Sequence, residues 1–185
     1  MLEKIIQLDR ELLVFLNGLG SPMYDGLWLG ITKQIYWTPV FLLFFYFLQK
    51  KIGWRNFGFF ILFMAGLIVV CDQTANLFKW YFHRLRPCND EELKHIIRLV
   101  KTSPSFSFFS GHAINSMATA VFSFMTIKKY YRHSYLVFLF PLIFAYSRIY
   151  LGVHFPIDIL TGYFFGALFG FICYKLYHKY ILRTS

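Results

Sequence analysis

The sequence predicts an all-α membrane protein: a polytopic bundle of five spanning helices with an N-terminal amphipathic interfacial helix. Three observations predict it. Of 185 residues, 57% are hydrophobic and only 15% charged, with a mean hydropathy of +0.50. Soluble domains carry about 45–50% apolar and about 25% charged residues, so this chain has too few charges to coat a folded surface. Apolar runs close to spanning length recur along it, and most of its charges fall between them. A soluble domain and a disordered chain are both excluded.

The elements follow in order. Residues 2–17 place Leu2, Ile5, Ile6, Leu8, Leu12, Leu13 and Leu16 at mostly helical intervals, with Glu3, Lys4, Arg10 and Glu11 between them. That pattern suits a helix lying on the bilayer surface. The same stretch lacks a basic lead and a small-residue cleavage site, so no cleavable signal is expected. Gly18, Gly20, Ser21 and Pro22 break the helix. Five spans are then expected: Leu27–Leu48 (interrupted by Lys33 and Gln34), Asn56–Trp80, Gly111–Ile127, Ser134–Tyr150 and Pro156–Tyr177. Residues 83–108 form the one long polar loop, and a loop of that length is usually functional. All of this reads as a single membrane-embedded domain over residues 1–185. Cys71, Cys88 and Cys173 lack metal-ligand spacing, and Cys71 and Cys173 read as buried, inert thiols.

Net charge is +10, from nineteen Lys and Arg against nine Asp and Glu. Alternating spans put Lys50, Lys51, Arg55, Lys128, Lys129, Arg132, Lys175, Lys179 and Arg183 on one side, with no acid among them. The other side holds nine cations and all nine acids, and Lys33 makes the nineteenth cation. A raw count ties, but several cations of the second side belong to a candidate site. The acid-free segments are therefore assigned to the cytoplasm.

Three clusters fall on the opposite side. Lys79 and Arg86-Pro87 lie seven residues apart, two turns on one face if the second span continues to the proline. Two cations leaving the bilayer together suit a phosphate. Ser110-Gly111-His112 opens the third span, where free N–H groups can cradle an anion and His112 can protonate a leaving oxygen. Ser147-Arg148 precedes His154, Pro156 and Asp158. There a carboxylate within reach of one imidazole nitrogen would fix the tautomer and expose the other nitrogen as a nucleophile. Each cluster alone has an ordinary reading: snorkelling cations, a Ser cap with an incidental His, a structural His–Asp pair. Their convergence on one side favours chemistry.

Together, Lys79 with Arg86-Pro87, then Ser110-Gly111-His112, then Ser147-Arg148 with His154 and Asp158, resemble the three-part signature of the type 2 phosphatidic acid phosphatase superfamily. One position departs, since Phe109 stands where the family usually has proline. The resemblance implies that His154 attacks phosphorus to form a phosphohistidine, oriented by Asp158, while His112 protonates the departing group. It implies that Lys79, Arg86, Ser110, Gly111 and Arg148 hold the phosphate oxygens, with no metal and no other cofactor. The implied activity is hydrolysis of a membrane lipid phosphate: undecaprenyl diphosphate, which is favoured, phosphatidylglycerophosphate, phosphatidic acid or a lipid A phosphate. The implied location is the bacterial inner membrane, with the site facing the periplasm or exterior. A lipid phosphotransferase and a non-catalytic carrier of anionic lipids stand as alternatives; nucleic acid is not expected as a partner. Asp72, two turns before Lys79, is expected to pair with a polar neighbour or with Lys79 and to support the site from behind.

Overall fold

The computed structural model describes residues 2–182 and is built of helices, with no strand among them. The six α-helices are α1 (Leu2–Gly18), α2 (Asp25–Ile31), α3 (Thr38–Phe82), α4 (Gly111–Ile127), α5 (Leu139–Tyr150) and α6 (Pro156–Tyr177). By length and composition, the helical stretches 34–89 and 156–182 can cross a membrane. Arg183, counted above among the cytoplasmic cations, lies outside the described residues.

The expected first span is divided. Lys33 takes an extended conformation between α2 and a 3-10 turn at Gln34–Trp37, and a regular helix resumes only at Thr38. The polar intrusions noted in the sequence, Lys33 and Gln34, are where the chain breaks. α3 is itself interrupted at Gly53, whose φ of 77° and ψ of 164° leave helical space. Glycine tolerates this region where other residues resist it. The chain reverses there: the Phe45 and Phe60 ring centroids lie 6.4 Å apart, whereas fifteen residues of straight helix would separate them by about 22 Å. The expected fourth span begins as a 3-10 turn at Ser134–Phe138 before α5. α4 and α6 keep their expected limits.

α1 turns Asp9, Leu13 and Asn17 inward, one stripe at four-residue spacing. Asn17 Nδ2 donates to the carbonyls of Ile149 (3.1 Å) and Tyr150 (2.9 Å), and its Oδ1 accepts from Arg98 N–H at 2.7 Å. Ile5, Ile6, Leu8, Leu12 and Phe15 remain exposed. The helix therefore docks through polar pins and keeps its apolar side outward.

The tightest contact joins α4 and α6. Gly162, Gly166 and Gly170 form a stripe on α6 against α4. A Cβ on Gly166 would stand 2.5 Å from Ile114 O, and one on Gly170 would stand 2.6 Å from Ala118 O. Only glycine admits this backbone approach. Below it, Phe60 stacks on Phe122 at 4.7 Å, with Tyr177 edge-on to both. The three cysteines are buried and free.

Gly166→Val should force the two backbones apart and destabilise the fold by about 2 kcal/mol or more. Gly66→Ala, at a helical glycine with open space around it, should be neutral or stabilising by up to about 1 kcal/mol. Thermal unfolding of the two purified variants in detergent checks the pair; equal midpoints would remove the stripe from the account.

Candidate active site

Four helix ends and the 83–108 loop meet at one place. α6 opens with Pro156 in its first turn, and Asp158 reaches back to accept from Phe155 N–H at 3.0 Å. The same oxygen, Oδ2, lies 3.3 Å from His154 Nδ1 and accepts from Ser107 Oγ–H. His154 is 1% exposed and Asp158 is 0% exposed. On the other side of the imidazole, Arg86 donates to Nε2 at 2.9 Å. Arginine can only donate, so Nε2 carries the lone pair and Nδ1 the proton. That tautomer puts the N–H toward Asp158 and the lone pair toward the guanidinium. Burial pushes the His154 imidazolium down to about 3, against the opposing Asp158 hydrogen bond, so the ring is neutral at physiological pH.

The site cations arrive by different routes. Lys79 is on the last turn of α3, which ends at Phe82 with His83 in the left-handed region. The two-turn argument for Lys79 and Arg86 therefore fails, because the helix stops before the proline. Arg86 instead sits on extended backbone (φ −76°, ψ 154°). It is held from behind by Ser105, whose carbonyl accepts from Nε at 2.8 Å and whose Oγ accepts from the guanidinium at 2.9 Å. Lys79 Nζ lies 3.7 Å from where a Cβ on Gly111 would stand. Arg148, buried at the end of α5, donates to Thr32 Oγ1 at 2.5 Å, while its Nε has no partner among the described residues. Lys101, at the rim, has its ammonium pushed below the usual range by partial burial and by Arg148, Lys33 and Arg86. Among the described residues none of Lys79, Arg86, Lys101 and Arg148 forms an ion pair with an acid.

Ser110 makes two contacts at the helix start and keeps its hydroxyl hydrogen free to donate. Its N–H donates to Asp158 O at 3.1 Å, and its Oγ caps α4 by accepting from Ala113 N–H at 3.4 Å. The Gly111 and His112 N–H groups lie in the first turn and have no intrahelical acceptor, so they are free to meet an anion. His112 stacks on Phe144, ring centroids 5.1 Å apart. The structure thus brings the side chains of His154, Asp158 and Arg86 into contact and sets Lys79 beside Gly111. Among the described residues no three His, Cys, Asp or Glu side chains gather as a metal would require.

Several participants escaped the sequence reading. Arg84 is not a free cation: it donates to Asp158 Oδ1 at 2.8 Å and to Asp9 Oδ2 at 2.6 Å, over the Phe155 ring at 3.8 Å. Asp9 in turn accepts from Ile157 N–H at 2.8 Å, tying α1 to the first turn of α6. Ser105, Ser107 and Thr32 carry no spacing that marks them. Asp9 carried a faint signal, as a carboxylate on the same helical stripe as Leu13.

Arg84→Gln would leave Asp158 buried with its charge uncompensated, so unfolding free energy should fall by on the order of 3 kcal/mol; an unchanged denaturation curve in detergent would show the pair to be dispensable. Burial of neutral His154 also sets a pH dependence. Below about 6.5 the unfolded chain takes up a proton at this position and the folded chain does not until far lower, so stability must fall as pH falls. Between pH 7 and pH 5 the His154→Gln variant should lose less stability than the parent. An equal loss would contradict a buried neutral imidazole.

A profile of the PAP2 superfamily matches residues 57–182. The lipid A 4'-phosphatase of Bacteroides thetaiotaomicron is 31% identical over 189 residues, covering 100% of this chain and 84% of the relative. The undecaprenyl-diphosphatase of Sulfolobus acidocaldarius is 25% identical over 177 residues, covering 94% and 81%. Among solved structures, a transmembrane PAP2-type phosphatidylglycerolphosphate phosphatase from Bacillus subtilis superposes with a TM-score of 0.75 at 20% identity, over 96% of this chain and 88% of that one. That last likeness is one of fold, and it is a fold that crosses membranes. A profile spanning most of the chain, with relatives that align over nearly all of it, places this integral membrane protein in the PAP2 superfamily.

Proposed function

We propose that the protein is a metal-independent lipid phosphatase that works through a phosphohistidine on His154. One observation carries the reading. A neutral, carboxylate-held imidazole faces a group of cations that no carboxylate among the described residues neutralises. Mutually repelling buried cations are costly, and a phosphate relieves that cost when it binds. Arg86 would turn from His154 Nε2 to a phosphate oxygen, and the freed lone pair would face phosphorus.

The atoms then balance as follows. Nε2 attacks phosphorus, and the bond to the lipid oxygen breaks with its electron pair on that oxygen. Once a bound phosphate has neutralised the surrounding cations, His112 takes the imidazolium form and supplies the proton that the oxygen takes. Water next attacks the phosphohistidine, the P–N bond breaks, and Nε2 recovers its pair while His112 takes the water's proton. Asp158 accepts from Nδ1–H throughout and steadies the positive charge developing on the ring. Lys79, Arg86 and Arg148, with the Ser110 hydroxyl and the N–H groups of Gly111 and His112, hold the charge on the equatorial oxygens. Phosphoryl transfer asks chiefly for positioning and charge stabilisation, and these groups supply both.

The acid-free turns favour an orientation in an inner membrane with the opposite face, and its site, toward the periplasm or exterior. The names of the relatives divide between a lipid A phosphate and undecaprenyl diphosphate.

The test is phosphate release from purified lipid phosphates by the detergent-solubilised protein in excess chelator. The parent should turn over undiminished, and His154→Ala should lose at least about 1,000-fold in kcat. Retained activity in the variant would sink the nucleophile assignment, and loss in chelator would sink the metal-free one.

A further inference from the structure

Two acids lie beside the proposed machinery without a step assigned to them. Asp72 accepts from Asn115 Nδ2 at 2.6 Å, the polar neighbour expected of it, and forms no ion pair with a site cation among the described residues. Asp9 is different. It sits on α1, far in sequence from every site residue, yet it is 6% exposed and two contacts away from the carboxylate that holds His154.

Asp9 Oδ2 accepts from Arg84 Nη2 at 2.6 Å, and its Oδ1 accepts from Ile157 N–H at 2.8 Å. Both oxygens accept, the pattern of an ionised carboxylate, although burial works against that charge. Arg84 turns its other arm, Nη1, to Asp158 Oδ1 at 2.8 Å, with the guanidinium over the Phe155 ring at 3.8 Å. One planar fork thus joins two carboxylates. Asp158 ends the chain with Oδ2, which lies 3.3 Å from His154 Nδ1. Other pins keep α1 in register: Arg10 pairs with Asp90 and Glu92, and Asn17, two turns past Asp9, bonds to Ile149 and Tyr150.

The charges along this chain matter as much as its geometry. Asp158 and Arg84 alone sum to zero, and Asp158 also accepts from Ser107 Oγ–H and Phe155 N–H. A carboxylate so fully engaged and electrically cancelled would do little for the positive charge that grows on the ring as Nε2 attacks. Asp9 adds a second negative charge against the one guanidinium, so the chain as a whole stays negative behind the imidazole. The same contact keeps the guanidinium from swinging away from Asp158 Oδ1.

We propose that Asp9, on the interfacial helix, is a positioning residue for phosphoryl transfer: through Arg84 it holds Asp158, and through Asp158 it aligns and steadies the His154 imidazole. This rests on the phosphatase reading above and deepens it.

The experiment measures kcat and KM of the full chain in detergent on dioleoyl phosphatidic acid, undecaprenyl diphosphate and a lipid A 4'-phosphate, with inorganic phosphate as competing ligand. On the lipid that the parent turns over fastest, Asp9→Asn should lower kcat at least about tenfold and leave KM and phosphate inhibition within about twofold. Asp9→Glu, which restores the charge, should recover most of the parent kcat. Arg10→Gln frees another pin of α1 but no member of the chain, and it should match the parent. Thermal midpoints show which variants fold; where Asp9→Asn does not, Asp9→Ser carries the same prediction, and if neither folds Asp9 is a structural residue and the proposal falls. An unchanged kcat in folded Asp9→Asn, a change in KM alone, Asp9→Glu no better than Asp9→Asn, or an equal loss in Arg10→Gln would each overturn it. A parent inert on every lipid would overturn the phosphatase reading, and the proposal with it.

Discussion

The backbone contact between α4 and α6 is the constraint on which the rest depends. Glycine at 162, 166 and 170 lets the two helices approach until carbonyls of one lie against the Cα positions of the other. Two helix starts are thereby fixed side by side, and Ser110 N–H closes onto Asp158 O across them. The proposed acid, the nucleophile and its orienting carboxylate hang from those two starts. One presents His112 and the N–H groups of its first turn. The other presents Asp158, which reaches back to the residues just ahead of its own helix and aligns His154. A bundle held only by lipid-facing leucines would leave this register free to drift, because lipid offers no hydrophobic penalty for separating helices.

Charge is then divided between two tasks. Arg84 is spent on structure, shared between Asp158 and Asp9 so that a fully buried carboxylate keeps its charge. Lys79, Arg86, Lys101 and Arg148 stay unneutralised and so hold a standing preference for an anion. Asn17 and Asp9 bind α1 to the same region, one at Ile149 and Tyr150 and one at Ile157. The interfacial helix is therefore a structural neighbour of the proposed nucleophile, and its exposed leucines and isoleucines face outward. The overall net charge of +10 speaks of membrane orientation and conceals this local arrangement.

Much of this was legible in the sequence where the signal is local. The limits of α4 and α6 follow from Ser110 as a cap and Pro156 in a first turn, and His154 with Asp158 are four residues apart on one helix start. What failed depended on the tertiary structure. Nothing near Phe82 announces that α3 ends there with His83 in the left-handed region, so Arg86 seemed to continue a helical face. Lys33 and Gln34 looked like intrusions in a span, but charge there is costly enough to break it. Ser105, Ser107 and Thr32 act through contacts many residues away, which no spacing records. The GxxxGxxxG run at 162–170 is readable from the sequence as a close-packing stripe.

The central claim is that His154 Nε2 carries the phosphoryl group. Single-turnover reaction with a lipid phosphate, quenched under alkaline conditions and mapped by mass spectrometry, tests it most directly. The account predicts transient phosphate on the peptide containing His154, and none there in the His154→Ala variant. Phosphate mapped to His112, or turnover with no phosphoprotein at any time point, would contradict it.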